Sequence, residues 1–353
     1  MIDFRYHLVS IVAVFLALAI GIVLGSTELQ GHTIDALNAT SNSLRSQLNA
    51  ANAKSDAYQN QANAGEQFLQ AAEPKLLGGL LAGDNVVIVT EPGAPGSVVD
   101  GVKKAAGIAG ATVTGQVALQ PKFYDVSGAT QANLSSINSL IAGSDGTVLD
   151  ATTDPHTQSQ QQAAQLIATA ILEKAAGQPS LSAASAQTLL QNYAQAGYLT
   201  VNPMPAAPAT IAVLVTPQSA PADGANDPAN RVLIALAQEF ASDSAVTVVA
   251  GDTTGSAQAG SAMSVLRSSS VSGAVSSVDN ADTTLGQISV MEAVATQLAG
   301  GKANSYGISG ASAVSPPVPS ASPSTSPSTS PSTSTSPTAS ATAHPKPTGT
   351  RKK

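Results

Sequence analysis

Val86-Val-Ile-Val89 is followed within two residues by Glu91-Pro-Gly-Ala-Pro-Gly96, and about 125 residues later Ile211-Ala-Val-Leu-Val215 is followed by Thr216-Pro-Gln-Ser-Ala-Pro221. Both apolar runs are short, rich in β-branched residues and closed by Pro or Gly, the signature of strands buried on both faces. After the first loop, Val98 to Ile108 reads as a helix and Ala111-Thr-Val-Thr-Gly-Gln-Val-Ala-Leu119 as the next strand. After the second, Asp227 is placed to cap a helix that has Pro228 at its first position. Val232, Leu233, Leu236, Ala237 and Phe240 share one face of that helix, and Ala245–Ala250 reads as a further strand. Strand, Pro-rich loop, helix and strand thus occur twice. The pattern predicts an α/β fold: a duplicated body over 84–307, with related halves 84–200 and 208–307 and a mostly parallel sheet.

Working outward, Gly146-Thr-Val-Leu-Asp150 is expected to be a third strand, and helices are expected near Gln160–Ala176 and Ala184–Gln195. A last strand is expected near Val271–Val278. It feeds a helix on which Ile288, Met291, Ala295 and Leu298 share a face and Gly300-Gly301 end the run.

Upstream of the body, Leu8 to Gly25 carries no charge. A membrane-spanning helix needs about 17–25 apolar residues, whereas the apolar core of a cleavable signal is about 7–15. Residues 1–26 therefore read as a single transmembrane anchor, with a cleaved signal as the alternative and membrane lipid as the partner of residues 8–25. Arg5 precedes the run and the next Lys or Arg after it is Arg45, which places the N-terminus in the cytoplasm and the bulk outside. Residues 27–73 read as a coiled-coil-like helix. Ile34, Leu37, Ser41, Leu44, Leu48, Ala51, Ser55, Tyr58, Ala62, Gly65 and Leu69 alternate in spacings of three and four, a seam for a homo-oligomer through residues 34–69. The other reading is a polar helix that folds back onto the body. Glu73-Pro74 is expected to end it.

From Ser312 to Lys353 the chain is mostly Ser, Pro, Thr and Ala, closing with His344-Pro-Lys-Pro and the terminal Arg351-Lys-Lys, a composition that builds no packed core and predicts a disordered tail. Four of the 15 Lys and Arg lie beyond residue 340, and the other 11 face all 22 Asp and Glu. A body this acidic does not attract nucleic acid by charge.

No motif assigns an enzyme. The Gly93 and Gly96 loop lies where phosphates often bind, but the dinucleotide fingerprint and the Gly-Lys-Ser/Thr signature are both missing, so it reads as a structural turn. Asp150, Asp154 and His156 fall together after a strand, either as a metal or water-polarising group or as an ordinary helix-entry loop. There is no Cys, and Met1, Met204, Met263, Met291, His7, His32, His156 and His344 are scattered. No catalytic, cofactor-binding or metal-ligating residue is assigned.

Two segments resemble a known family: Asp3-Phe-Arg-Tyr-His-Leu-Val-Ser-Ile-Val-Ala-Val-Phe-Leu-Ala-Leu-Ala-Ile-Gly-Ile-Val-Leu-Gly25, and Ser277-Val-Asp-Asn-Ala-Asp-Thr-Thr-Leu-Gly286 with its following helix and Tyr306-Gly307. With the stalk and the α/β body, they are similar to the actinobacterial copper transport protein MctB family over about residues 1–307. The resemblance implies a part in copper efflux or tolerance, copper ion as cargo, and a place in the cell envelope, described as outer membrane. It brings no catalytic residues and no ligand positions. A membrane barrel needs many alternating segments of about ten residues. The few strands here are interleaved with helices, so the residues themselves point to a single-span, extracytoplasmic protein. A stalked structural or interaction scaffold of the envelope is the alternative function.

Overall fold

The computed structural model describes residues 4–149, 155–173, 181–242 and 246–317, without the side chains of 26–34 and Asp145. The long helix α1 (Phe4–Leu77) leads into the body. There follow β1 (Asn85–Thr90), α2 (Gly96–Ile108), β2 (Thr112–Leu119), α3 (Gly128–Asp145), α4 (Gln158–Ile171), α5 (Ala183–Gln195) and β3 (Leu199–Val201). The second part holds β4 (Ile211–Val215), α6 (Pro228–Ser242), β5 (Val246–Ala250), α7 (Thr253–Ser256), α8 (Ala262–Ser268), β6 (Ser276–Val278), α9 (Thr284–Leu298) and β7 (Ser305–Tyr306).

These strands form one sheet in the order β3-β2-β1-β4-β5-β6-β7. Every neighbouring pair is parallel except β2 with the edge strand β3. The opening apolar runs are the two central strands, paired from Val86↔Ile211 to Thr90↔Val215. Their side chains divide by alternation. Val87, Val89, Ala212 and Leu214 enter one core with α4, α5 and α6. Val86, Ile88, Ile211 and Val213 enter the other with the end of α1, α2 and α9. Both faces are covered, which is why these strands read as unbroken apolar runs.

Both expected strand–helix–strand units are present, as β1–α2–β2 and β4–α6–β5. They lie in one sheet with α2 on one face and α6 on the other. Beyond them the halves differ: one adds three helices and an antiparallel edge, the other two more parallel strands. The Asp227 cap is there, its carboxylate accepting from the Ala229 N–H at 2.8 Å.

Several expectations are corrected. Residues 147–149 form no strand. Gly146 instead ends α3 in the left-handed region (φ +69°), and Thr147 N–H returns to the Ala142 carbonyl at 3.1 Å. The strand expected near Val271–Val278 is confined to Ser276–Val278, because Ser270–Gly273 winds into a 3-10 turn, and a further strand, β7, follows α9. On α9, Ile288 and Met291 are buried but Leu298 is exposed. Helix α1 passes through Pro74 to Leu77. Proline disturbs chiefly the turn before it, and here the last turn is anchored by Leu77, which is wholly buried. The body also runs past residue 307. Tyr306 bridges Ala313, and Gly307 N–H donates to the Ala313 carbonyl at 2.9 Å, so 312–317 belong to the fold. Residues 318–353 lie outside the described residues.

Two polar constructions hold the edge and the stalk. Asp279 is fully buried beyond β6. Its carboxylate accepts from Arg267 Nη1 (2.8 Å), Ile308 N–H (2.7 Å) and Ser309 N–H (2.9 Å). The same guanidinium donates to the Ser277 hydroxyl, the Ser309 carbonyl and the Tyr306 carbonyl. Gly307 holds φ +127°, and a Cβ there would strike the Asp279 carboxylate. The segments 277–286 and 306–307 thus meet in one saturated ion pair that pins β7 to the sheet.

The base of α1 docks on the body. The Glu66 carboxylate accepts from the N–H of Thr284 at 3.1 Å and from its hydroxyl, satisfying the N-terminus of α9, where negative charge is favoured. Below it Leu69 packs on the core, and buried Glu73 pairs with Lys104 at 2.9 Å.

Removing one partner of a buried ion pair costs about 3–5 kcal/mol. Asp279→Asn is therefore expected to lower unfolding free energy by about that much in urea titration. Asp282→Asn, at an exposed carboxylate bonded to Thr253, is expected to cost under about 1 kcal/mol. Equal losses would contradict the assignment of the edge to Asp279. Glu66→Ala is expected to speed amide hydrogen exchange at Thr284 and the first turn of α9 while the β1 and β4 amides stay protected; unchanged exchange there would show that the carboxylate does not hold the stalk.

Candidate functional site

The chain leaves β1 toward β2 by way of α2, and leaves β4 toward β5 by way of α6 on the opposite face. Loops that depart from adjacent parallel strands to opposite faces must part. The crevice beyond the carboxyl ends at that reversal is where open α/β sheets bind ligands.

A cleft of ≈ 270 Å³ occupies this position. Glu91, Pro92 and Gly93 form one wall, Pro217, Ser219 and Pro221 the other, with Ala229 and Asn230 of α6 and Ala262 of α8 completing it. The walls are cross-linked near their roots: Glu91 N–H donates to the Val215 carbonyl at 3.0 Å and Gln218 N–H to the Gly93 carbonyl at 3.2 Å. Gly93 sits at φ +85°, a conformation L side chains rarely adopt, and a Cβ there would lie 3.5 Å from Pro217 Cβ. The prolines stiffen both loops.

Glu91 is the first residue past β1 and is 6% exposed. The Tyr124 hydroxyl, from the turn Pro121–Tyr124, donates to its Oε1 at 2.7 Å. Its Oε2 is buried and has no partner. Burial pushes the carboxyl up to about 7, against the smaller opposing effect of the Tyr124 hydrogen bond. Burial and the adjacent carboxylate push the Tyr124 phenol well above its ordinary value. Asn230, 2% exposed, donates both amide hydrogens to the carbonyls of Gly224 (2.9 Å) and Gly260 (3.0 Å). What that side chain has left is its acceptor oxygen. The cleft therefore offers acceptors against an apolar lining, with no basic residue among those that line it.

The structure treats the sequence candidates differently. The Gly93 and Gly96 loop reaches the cleft through Gly93, beside the buried Glu91 carboxyl. Asp150 and Asp154 lie outside the described residues. His156 is exposed in the loop entering α4, and its carbonyl accepts from Gln131 Nε2 at 2.7 Å, the helix-entry arrangement. Met263 and Met291 lie in opposite cores. Among the described residues, no group of three or more His, Cys, Asp or Glu is placed to hold a metal ion. Glu91 and Tyr124 were not singled out by sequence reading. The position of Glu91 directly after a buried strand was a usable signal, whereas its pairing with a tyrosine 33 residues on was not.

The apolar end of α1, Phe4–Gly25, is 22 residues long with mean hydropathy 2.9 and none of it buried against the body. It is long and apolar enough to cross a membrane.

The family model described as "Copper transport outer membrane protein, MctB" matches residues 1–316. Among curated proteins, Copper transporter MctB of Mycobacterium tuberculosis is 30% identical over 310 residues, covering 87% of this chain and 96% of its own length. Copper transporter MctB of Mycobacterium leprae is 31% identical over 324 residues, covering 90% of this chain and all of its own length. The match takes in the apolar helix, the stalk and the body with its Asp279 edge, and the chain belongs to the MctB family.

Proposed function

We propose that this chain is a copper efflux or tolerance component of the cell envelope, fixed in a bilayer by one helix and non-catalytic. The family match over residues 1–316 carries the reading, because it spans the membrane-length helix and the body together. At 1.5 Å per residue, Phe4–Gly25 extends about 33 Å, close to the ~30 Å hydrocarbon core. In this reading the helix is a single pass, with the N-terminus cytoplasmic beside Arg5 and the body outside.

Transport by one helix per chain requires several chains. The stalk supplies a reason to associate: Leu37, Leu44, Leu48 and Tyr58 of the seam are 60–70% exposed in the single chain. A parallel coiled coil of several copies would bury them and gather the membrane helices into one bundle. The base of the seam does something else, since Leu69 turns to the chain's own body. The docking of α1 through Glu66 supports the other reading of the base of this helix, a segment held against its own body.

A deletion strain separates copper transport from a stalked scaffold without cargo. Lower copper tolerance with raised cellular copper, restored by the full chain but not by one lacking residues 4–25, is the expected result. Unchanged tolerance and copper content would remove transport and leave the scaffold. Inner and outer membrane fractionation reads the bilayer concerned. Leu44→Lys with Leu48→Lys is expected to reduce the detergent-solubilised protein to monomers by light scattering; a preserved oligomer would place self-association elsewhere.

A further inference from the structure

We propose that the cleft between the β1 and β4 loops binds a small organic ammonium ion, held by the Glu91 carboxylate and the Asn230 amide oxygen. The argument is one of complementarity. A buried carboxylate oxygen without a donor is costly, and Glu91 Oε2 has none. Tyr124 holds the other oxygen at 2.7 Å, which fixes the carboxyl group, and Glu91 is one of the residues that line the cleft. The Asn230 amide hydrogens are both engaged on carbonyls, so this second buried group also presents an acceptor.

An ammonium brings the donors and the countercharge that the site lacks, and its short alkyl part suits walls of proline and alanine. An anion would meet the Glu91 carboxylate, and a neutral apolar molecule would leave both acceptors unpaired. One carboxylate does not make a divalent metal site. The ≈ 270 Å³ volume lies just under the usual range of about 300–1,000 Å³ for ligand pockets, which selects a small ligand. The site lies where the fold's reversal puts ligands, and the inference is independent of the copper reading, so either can fail alone.

Ammonium binding requires ionised Glu91. Tyr124 is the titratable group that faces it. Asp227, just before α6, is engaged on the Ala229 N–H, and Glu91 is the one charged residue among those that line the cleft. Since the empty carboxyl titrates at about 7, binding is expected to strengthen from pH 6 to pH 8. By the same linkage the unliganded fold is destabilised as pH rises from the unfolded carboxyl value through about 7.

The test is calorimetric titration of the full chain in nanodiscs with n-butylammonium, 1-butanol and butyrate. Saturable binding of n-butylammonium alone, stronger at pH 8 than at pH 6 and at least tenfold weaker in Glu91→Gln, is the expected result. Glu91→Gln should also melt no lower than the parent at pH 8, which shows that it folds. Ser219→Phe, at an exposed loop position on the cleft wall, should block binding with the fold intact. Absence of saturable n-butylammonium binding by the parent, equal affinity in Glu91→Gln, tighter binding of butyrate, or full binding by Ser219→Phe would each overturn the proposal.

Discussion

The parallel pairing of β1 with β4, five residues in register from Val86↔Ile211 to Thr90↔Val215, is the constraint on which the rest depends. It joins two strand–helix–strand units that begin about 125 residues apart into one sheet. Right-handed crossovers on either side of that seam send α2 and α6 to opposite faces. Two cores follow, and so does the parting of the loops that opens the cleft. A slip of one residue in this pairing would exchange the side chains of Val87, Val89 and Leu214 with those of Val86, Ile88 and Val213 between cores built to different shapes.

The second organising feature is the attachment of α1. A helix of 74 residues would stand about 110 Å tall at 1.5 Å per residue, and most of its described side chains are exposed. Its base is held to the body by Leu69, Leu77 and the carboxylates of Glu66 and Glu73. The Glu66 contact uses the unsatisfied amides of α9, and the Glu73 contact uses Lys104 of α2. Both recipient helices belong to the same face of the sheet.

Legibility followed the range of the interactions involved. The central strands, the helices α2, α5 and α6 and the Asp227 cap were readable because a few neighbouring residues specify each. The reading failed where tertiary contact overrode local pattern. Thr147-Val148-Leu149 has strand composition but no strand to pair with. Pro74 marks a stop that buried Leu77 overrides. Ser312 to Pro317 has tail composition, yet part of it is held by the β7 backbone. The chemistry of the edge is of the same kind: Asp279 and Gly307 appear in the sequence in two separate segments, and only their meeting with Arg267 explains both.

By itself the sequence determined the fold class, the membrane-length helix and the family, since each of these is written in local periodicity or in strings of adjacent residues. Only the tertiary structure decided that the two α/β units share one sheet with a reversal between them. It also showed that Glu91 meets Tyr124 and lines a cleft with Asn230, and that the stalk is fastened at Thr284. These pairs lie 33 to 218 residues apart. Contacts at such separations are set by the geometry of the closed fold, and no local pattern records them.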